Sequence, residues 1–177
     1  HSLGGYTVRV YAHDYPKEVS GLIFVDAQAL PSSDKATFTP APKPGGSSSL
    51  ISLARIGVMR LFGGLLGAIQ DLPEGDKQAY KALSVTSRSV QTFLDEGRGM
   101  SEGGAQARAV KDLGSLPMIV LSRGKDQDPQ WEASQKEYLK LSTNSQRLFA
   151  DDSGHGIMIE QPKAVIDAIN TMIEKVH

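Results

Sequence analysis

The first five residues, His-Ser-Leu-Gly-Gly, place a serine among small, turn-forming neighbours. This order matches the second half of the pattern Gly-x-Ser-x-Gly, in which a strained turn from a strand into a helix exposes a nucleophilic serine. The helix N-terminus behind such a serine favours the negative charge that develops on the reacting oxygen. Ser2 is therefore predicted to be a nucleophile. The alternative is a serine that only caps the helix that follows.

His155 is the second residue whose surroundings predict chemistry. It lies in the stretch Ser-Gly-His-Gly, between an expected strand and the last expected helix. A histidine in a glycine-flanked loop at the end of a strand can approach a distant serine and accept its proton. A single histidine is more often structural, but this context favours a general base.

Alternating strands and helices are predicted to position these two residues. Two continuous apolar runs, at residues 21–27 and 117–123, are typical of strands buried on both faces of a sheet, and residues 147–152 are a third, shorter candidate strand. Helical patterns occupy the segments between and after them, from Gly5 to about Asp14, from about Gln130 to Leu141, and at residues 165–176. This alternation predicts an α/β fold, in which a parallel sheet is covered by helices on both faces.

The long segment at residues 28–116 is predicted to be a cap or lid inserted into a core made of residues 1–27 and 117–177, because it far exceeds an ordinary crossover. It begins with a connector rich in proline, glycine and serine, at residues 31–49, which is expected to be exposed and mobile. Residues 50–69 predict a helix with a broad apolar face, which either packs in the interior or lines a pocket for an apolar substrate. Two arginines and four glycines argue against a transmembrane helix there.

Composition excludes several classes of protein. With 177 residues, 40% of them hydrophobic, the chain can form one sizeable core. A formal net charge of −1 gives no basic surface for nucleic acid. The sequence has no cysteine and four scattered histidines, so no metal site is expected. The first residues lack the pattern of a signal peptide, and we expect a cytoplasmic protein.

Two parts of the chain resemble the second half of a serine-nucleophile α/β-hydrolase. The stretch HSLGGYTVRVYAHDYPKEVSGLIFVDA is similar to the nucleophile elbow, the following helix and the sixth strand of that family. The stretch SGHGIMIEQPKAVIDAI is similar to its histidine loop and final helix. Their order along the chain, Ser, Asp and His, is that of the family's catalytic triad. The resemblance implies a cofactor-free, esterase-like hydrolase that acts on small or lipophilic ester substrates.

The resemblance also indicates where the acid of the triad lies. Family members commonly place it three residues after the glycine that ends the seventh strand, and that position, counted from Gly124, is Gln127. Asp126 and Asp128 flank this position, whereas some members of the fold carry the acid at the end of the sixth strand, where Asp26 lies. We expect Asp126 to hold the tautomer of the histidine, with Asp128 and Asp26 as alternatives.

An oxyanion site in this family uses two backbone donors, of which the N–H of Leu3 is one and a loop after the third strand supplies the other. That loop and the first five strands of the family fold have no counterpart in the sequence. We therefore expect a fragment that self-associates or depends on a missing N-terminal half. Two functions stay open: a serine hydrolase that forms an acyl-enzyme on Ser2, and a non-catalytic domain that binds a ligand or a partner. A cofactor-free lyase or a haloperoxidase on the same residues is a further option.

Overall fold

The computed structural model describes residues 1–28, 30, 51–58 and 72–177. The chain divides into two compact units, one made of His1–Asp34 with Glu102–His177 and the other of Lys35–Ser101. The predicted connector at residues 31–49 lies outside the described residues, and so does most of the apolar helix predicted at residues 50–69. The role of the second unit as a cap stays a prediction.

The first unit alternates strands with helices along the chain, as the sequence predicts. Its elements are α1 (Gly4–Asp14), β1 (Leu22–Val25), β2 (Met118–Arg123), α4 (Pro129–Leu139), β3 (Ser145–Ala150), α5 (Ile157–Glu160) and α6 (Pro162–Val176). In the second unit, α2 (Glu74–Ser84) is followed by α3 (Ser87–Ala109), whose last residues belong to the first unit. Within the described residues, no helix is both long enough and apolar enough to cross a membrane.

The three strands form one parallel sheet in the order β1-β2-β3, which confirms the predicted α/β fold. The register pairs Leu22 with Met118 and Met118 with Ser145. The central strand β2 is buried along nearly its whole length, which explains its continuous run of apolar residues. On the side of β1 that faces away from β2, the described residues add only an isolated parallel bridge between Ser2 and Ala27.

Side chains alternate between the two faces of the sheet, and each face carries its own apolar cluster. On the face of α1 and α4, Ala12 and Tyr138 pack against Phe24, Met118 and Val120. On the opposite face, the cluster joins residues of β2 and β3 to α5 and α6, namely Ile119, Leu121, Ala150, Ile157, Ala168 and Met172. Helices therefore cover both faces, as the alternating pattern predicts.

Two glycines allow the backbone approaches that shape the carboxyl edge of the sheet. A Cβ on Gly5 would lie 2.8 Å from the Cβ of Ala27, so only glycine lets α1 pack this close to the end of β1. A Cβ on Gly124, just after β2, would lie 2.2 Å from the carbonyl oxygen of Asp151, just after β3. The residues that follow all three strands are thereby held together at one edge.

Candidate active site

Ser2 lies at a strained turn directly before α1. Its φ of 51° falls in the left-handed region, which costs a non-glycine residue about 1–2 kcal/mol. The carbonyl oxygen of Ser2 accepts hydrogen bonds from the N–H groups of Gly5 and Gln28, both at 3.0 Å, and these bonds hold the turn. Leu3 is the N-cap residue of α1, and no side chain in the described part of the chain caps the helix, so Ser2 is not a capping serine. The N–H of Leu3 donates to no described residue, which leaves it available as an oxyanion donor.

His155 pairs with Asp26, the residue that follows β1. The His155 Nδ1 and Asp26 Oδ2 atoms are 2.5 Å apart. The Asp26 side chain is fully buried, whereas 46% of the His155 side chain is exposed. A carboxylate only accepts hydrogen bonds, so Nδ1 carries the proton and Nε2 is left as the basic nitrogen. This is the tautomer that a general base needs.

The other two candidate acids have different partners. The Asp128 Oδ1 atom accepts a hydrogen bond from the Trp131 N–H at 2.8 Å and so caps α4. The backbone oxygen of Asp126 accepts from Arg123 Nη2 at 2.9 Å, and no hydrogen bond within the described part of the chain joins its carboxylate to His155. The geometry therefore favours Asp26 over the expected Asp126. The reason is that the end of β1, rather than the loop after β2, carries its carboxylate to the histidine.

Arg123 also contacts the carboxylate of Asp26, and its Nη1 atom shares the Oδ2 oxygen with His155. Its backbone N–H and its Nη1 atom each lie 3.4 Å from a carboxylate oxygen of Asp26. The guanidinium lies 4.6 Å from the centroid of the Trp131 ring, at a distance that favours a cation–π contact. A buried carboxylate needs such partners, because an unpaired buried charge is strongly destabilising. Arg123 belongs to no sequence motif, and only its position at the end of a strand could have indicated its role.

The loop of His155 is fixed by the carboxylate of Glu160, a role that no sequence motif predicts. One carboxylate oxygen accepts from the Gly154 N–H at 2.8 Å and the other accepts from the Gly156 N–H at 3.2 Å. The backbone oxygen of His155 lies 2.8 Å from Nε2 of His1, and the two imidazole rings are 4.4 Å apart. Hydrogen bonds therefore hold the backbone N–H groups of Gly154 and Gly156 and the carbonyl group of His155 in place.

The structure brings the predicted nucleophile and the histidine pair to the same edge of the sheet. Ser2 bridges to Ala27, the residue next to Asp26, although within the part of the chain that the structure describes no hydrogen bond joins Ser2 to His155. A cavity of about 440 Å³ opens beside the histidine, and its walls include Gln28, Arg123, Asp128 and Trp131. No cluster of three or more His, Asp or Glu side chains suited to a metal ion occurs among the described residues.

The amino-acid sequence identifies the family of the protein. The sequence pattern of the alpha/beta hydrolase family matches residues 1–168, and the chain belongs to that family. No curated protein matches the chain in sequence.

Several solved structures share the fold of this chain. A putative acyltransferase from Salmonella enterica is 17% identical with a TM-score of 0.71, and the match covers 100% of this chain and 63% of that one. A haloalkane dehalogenase variant from Bradyrhizobium elkanii is 20% identical with a TM-score of 0.66, over 99% of this chain and 66% of that one. A thermophilic esterase from Thermogutta terrifontis is 24% identical with a TM-score of 0.53, over 99% and 63%. The chain thus spans about two thirds of the length of these relatives.

Proposed function

We propose that this chain carries the nucleophile, base and acid of a serine hydrolase that cleaves carboxylic esters. The observation that supports the proposal most strongly is the pair formed by His155 and the buried Asp26, beside the strained turn of Ser2. The similar structures include an esterase and a putative acyltransferase, whose chemistry a serine nucleophile suits. Because one fold supports several chemistries, the proposal depends on the residues of the site.

The proposed reaction begins when Nε2 of His155 takes the hydroxyl proton of Ser2 and the serine oxygen attacks the ester carbon. Asp26 stabilises the imidazolium, and the N–H of Leu3 donates to the oxygen that becomes negative. The alcohol leaves with the proton from His155, and an acyl-enzyme remains on Ser2. Water then attacks the acyl carbon by the same route, which releases the acid and restores the serine.

The residues that line the cavity beside His155 favour one kind of ester as the proposed substrate. Its walls carry the charged side chains of Arg123 and Asp128 and the amides of Gln28 and Gln130, with Trp131 as the large apolar surface. Such walls favour a small ester with a polar group over the lipophilic ester that the resemblance implies, because polar groups on the substrate can replace the water that these side chains bind.

Labelling by a fluorophosphonate probe, followed by intact mass and peptide mapping, tests the proposal. We expect labelling at Ser2 that Ser2→Ala abolishes. Asp26→Asn should slow labelling by roughly 10³- to 10⁴-fold, because an amide at this position no longer fixes the required tautomer. Asp126→Asn is the matched control and should leave the rate within about twofold, since no hydrogen bond among the described residues joins its side chain to His155.

Two results would contradict the proposal. If Asp126→Asn abolished labelling and Asp26→Asn did not, the acid assigned from the geometry would be wrong. If Ser2 took up no probe while the chain was folded, the alternative of a non-catalytic domain that binds a ligand would be favoured.

A further inference from the structure

A second cavity lies in the first unit, between α1, the end of α3 and α4. Its volume is about 260 Å³, and none of its lining residues lines the cavity beside His155. Its walls combine the apolar surfaces of Leu30, Tyr138 and Leu141 with several basic side chains, namely Arg9, Arg108, Lys111 and Lys140. The proposed hydrolase uses none of these residues.

Arg9 is the most unusual of the basic residues, because it is only 5% exposed. Its Nε and Nη2 atoms both donate to the carbonyl oxygen of Val110, at 3.2 and 2.5 Å. Among the described residues, no carboxylate forms a hydrogen bond with Arg9, and its Nη1 atom has no acceptor. Burial lowers the pKa of the Arg9 guanidinium, while Tyr138 and Glu137 act in the opposite direction. A buried cation is costly unless an anion accompanies it.

The other charges on the walls do not supply that anion. Glu137 is the one acid among the described lining residues, and its carboxylate already forms an ion pair with Nζ of Lys140. Lys111 is exposed and has no carboxylate partner among the residues that the structure describes. Because Glu137 and Lys140 cancel each other, Arg9 and Lys111 give the cavity a net positive charge even without counting Arg108.

We propose that this cavity binds an oxyanion of the phosphate type, with Arg9 as the buried donor and Lys111 at the surface. A guanidinium presents several N–H groups in one plane, which suits the oxygens of phosphate better than a single point charge does. Since a water occupies about 30 Å³ in the liquid, the cavity holds several times that volume. The ligand is thus either free phosphate or the phosphate group of a small organic molecule that contacts Leu30 and Leu141.

Calorimetric titration of the chain with inorganic phosphate tests the inference without any use of hydrolase activity. We expect saturable binding with a dissociation constant below about 10 mM, at an ionic strength held constant with chloride. Arg9→Gln should weaken binding by about 10- to 100-fold, because a charge-assisted hydrogen bond contributes roughly 1.5–3 kcal/mol. A titration with glycerol phosphate distinguishes the two sources: tighter binding than that of phosphate assigns an organic phosphate, and equal binding assigns the free ion.

Lys111→Gln gives a second test that does not depend on a buried residue. The side chain is exposed, so the variant should fold and should bind phosphate about two- to fivefold more weakly. Lys163→Gln removes the same charge from a side chain of α6 that is 84% exposed and lies outside the cavity, and it should bind as the wild type does. An absence of saturable binding, or equal losses in Lys111→Gln and Lys163→Gln, would overturn the inference.

Discussion

Replacing Gly124 with alanine should destabilise the first unit more than any ordinary surface change. The new Cβ would lie 2.2 Å from the carbonyl oxygen, 2.4 Å from Cα and 2.5 Å from the carbonyl carbon of Asp151. All three are backbone atoms, so no side-chain rotation relieves the overlap. The backbone segment after β2 and the backbone segment after β3 must therefore move apart where they pass each other.

Two contributions determine the expected loss of stability in Gly124→Ala. Overpacking of this kind typically costs about 1–3 kcal/mol. The separation also strains two backbone hydrogen bonds, from the Gly124 N–H to the Ala150 oxygen at 2.8 Å and from the Lys125 N–H to the Ser153 oxygen at 3.0 Å. Each such bond contributes about 0.5–1.5 kcal/mol, so we expect a loss of about 4 kcal/mol in the free energy of unfolding.

Thermal unfolding followed by circular dichroism measures this loss. For a chain of this length, about 4 kcal/mol corresponds to a melting temperature lowered by roughly 10 °C. Gly103→Ala is the matched control, because it adds the same methyl group within α3, where its nearest neighbour is a ring carbon of Tyr6 at 3.9 Å. That control should gain about 0.5–1 kcal/mol from helix propensity. If Gly124→Ala melted within about 2 °C of the wild type, the close passage of the two chain segments would be refuted.

Two further predictions concern carboxylates whose partners the structure defines. Glu160→Ala should slow probe labelling of Ser2 by about tenfold, because the two hydrogen bonds that fix the His155 loop contribute roughly 1–2 kcal/mol at this exposed site. Glu160→Gln keeps one acceptor oxygen and should recover part of the labelling rate. Equal labelling rates in the wild type and both variants would contradict the positioning role of Glu160. Hydrogen bonds from Arg147 lower the pKa of Glu132 from 4.5 to about 2, so its stabilising effect is complete above pH 4.5 and is lost as the pH falls towards 2. Because 30% of the Glu132 side chain is exposed and solvent weakens the interaction, Glu132→Gln should lower the free energy of unfolding at pH 7 by about 1–2 kcal/mol. Urea titrations at several pH values measure the difference in unfolding free energy between the wild type and this variant. If that difference did not shrink as the pH falls, the linkage to the Glu132 carboxylate would be ruled out.

The sequence was sufficient to predict the elements of the fold, because their signals are local. The run at residues 117–123 is apolar on both faces and forms the central strand β2, and the stripe ending at Val176 forms α6. The third strand begins at Ser145 rather than at residue 147, because the polar Ser145 and Gln146 pair with β2 through the backbone alone. Pairing of this kind requires no apolar side chain, so the pattern gives no signal for it.

The partners in the site were harder to predict, because they depend on which strand ends meet in space. Asp26 and Asp126 both follow strands, and spacing along the chain does not reveal which of the two contacts His155. The roles of Arg123 and Glu160 arise from contacts with a carboxylate and with two backbone amides, for which no motif exists. Only the geometry of the folded chain distinguishes these residues from ordinary surface charges.

The left-handed backbone at residue 2 creates a trade-off between folding and chemistry. Glycine adopts a φ of 51° at no steric cost, whereas this conformation raises the free energy of the folded state for serine and raises it further for a β-branched residue. A library selected only for soluble expression should therefore enrich Ser2→Gly, and a library selected for acylation should retain the serine. Residue 2 is a position at which the most stable sequence and the proposed catalytic sequence differ.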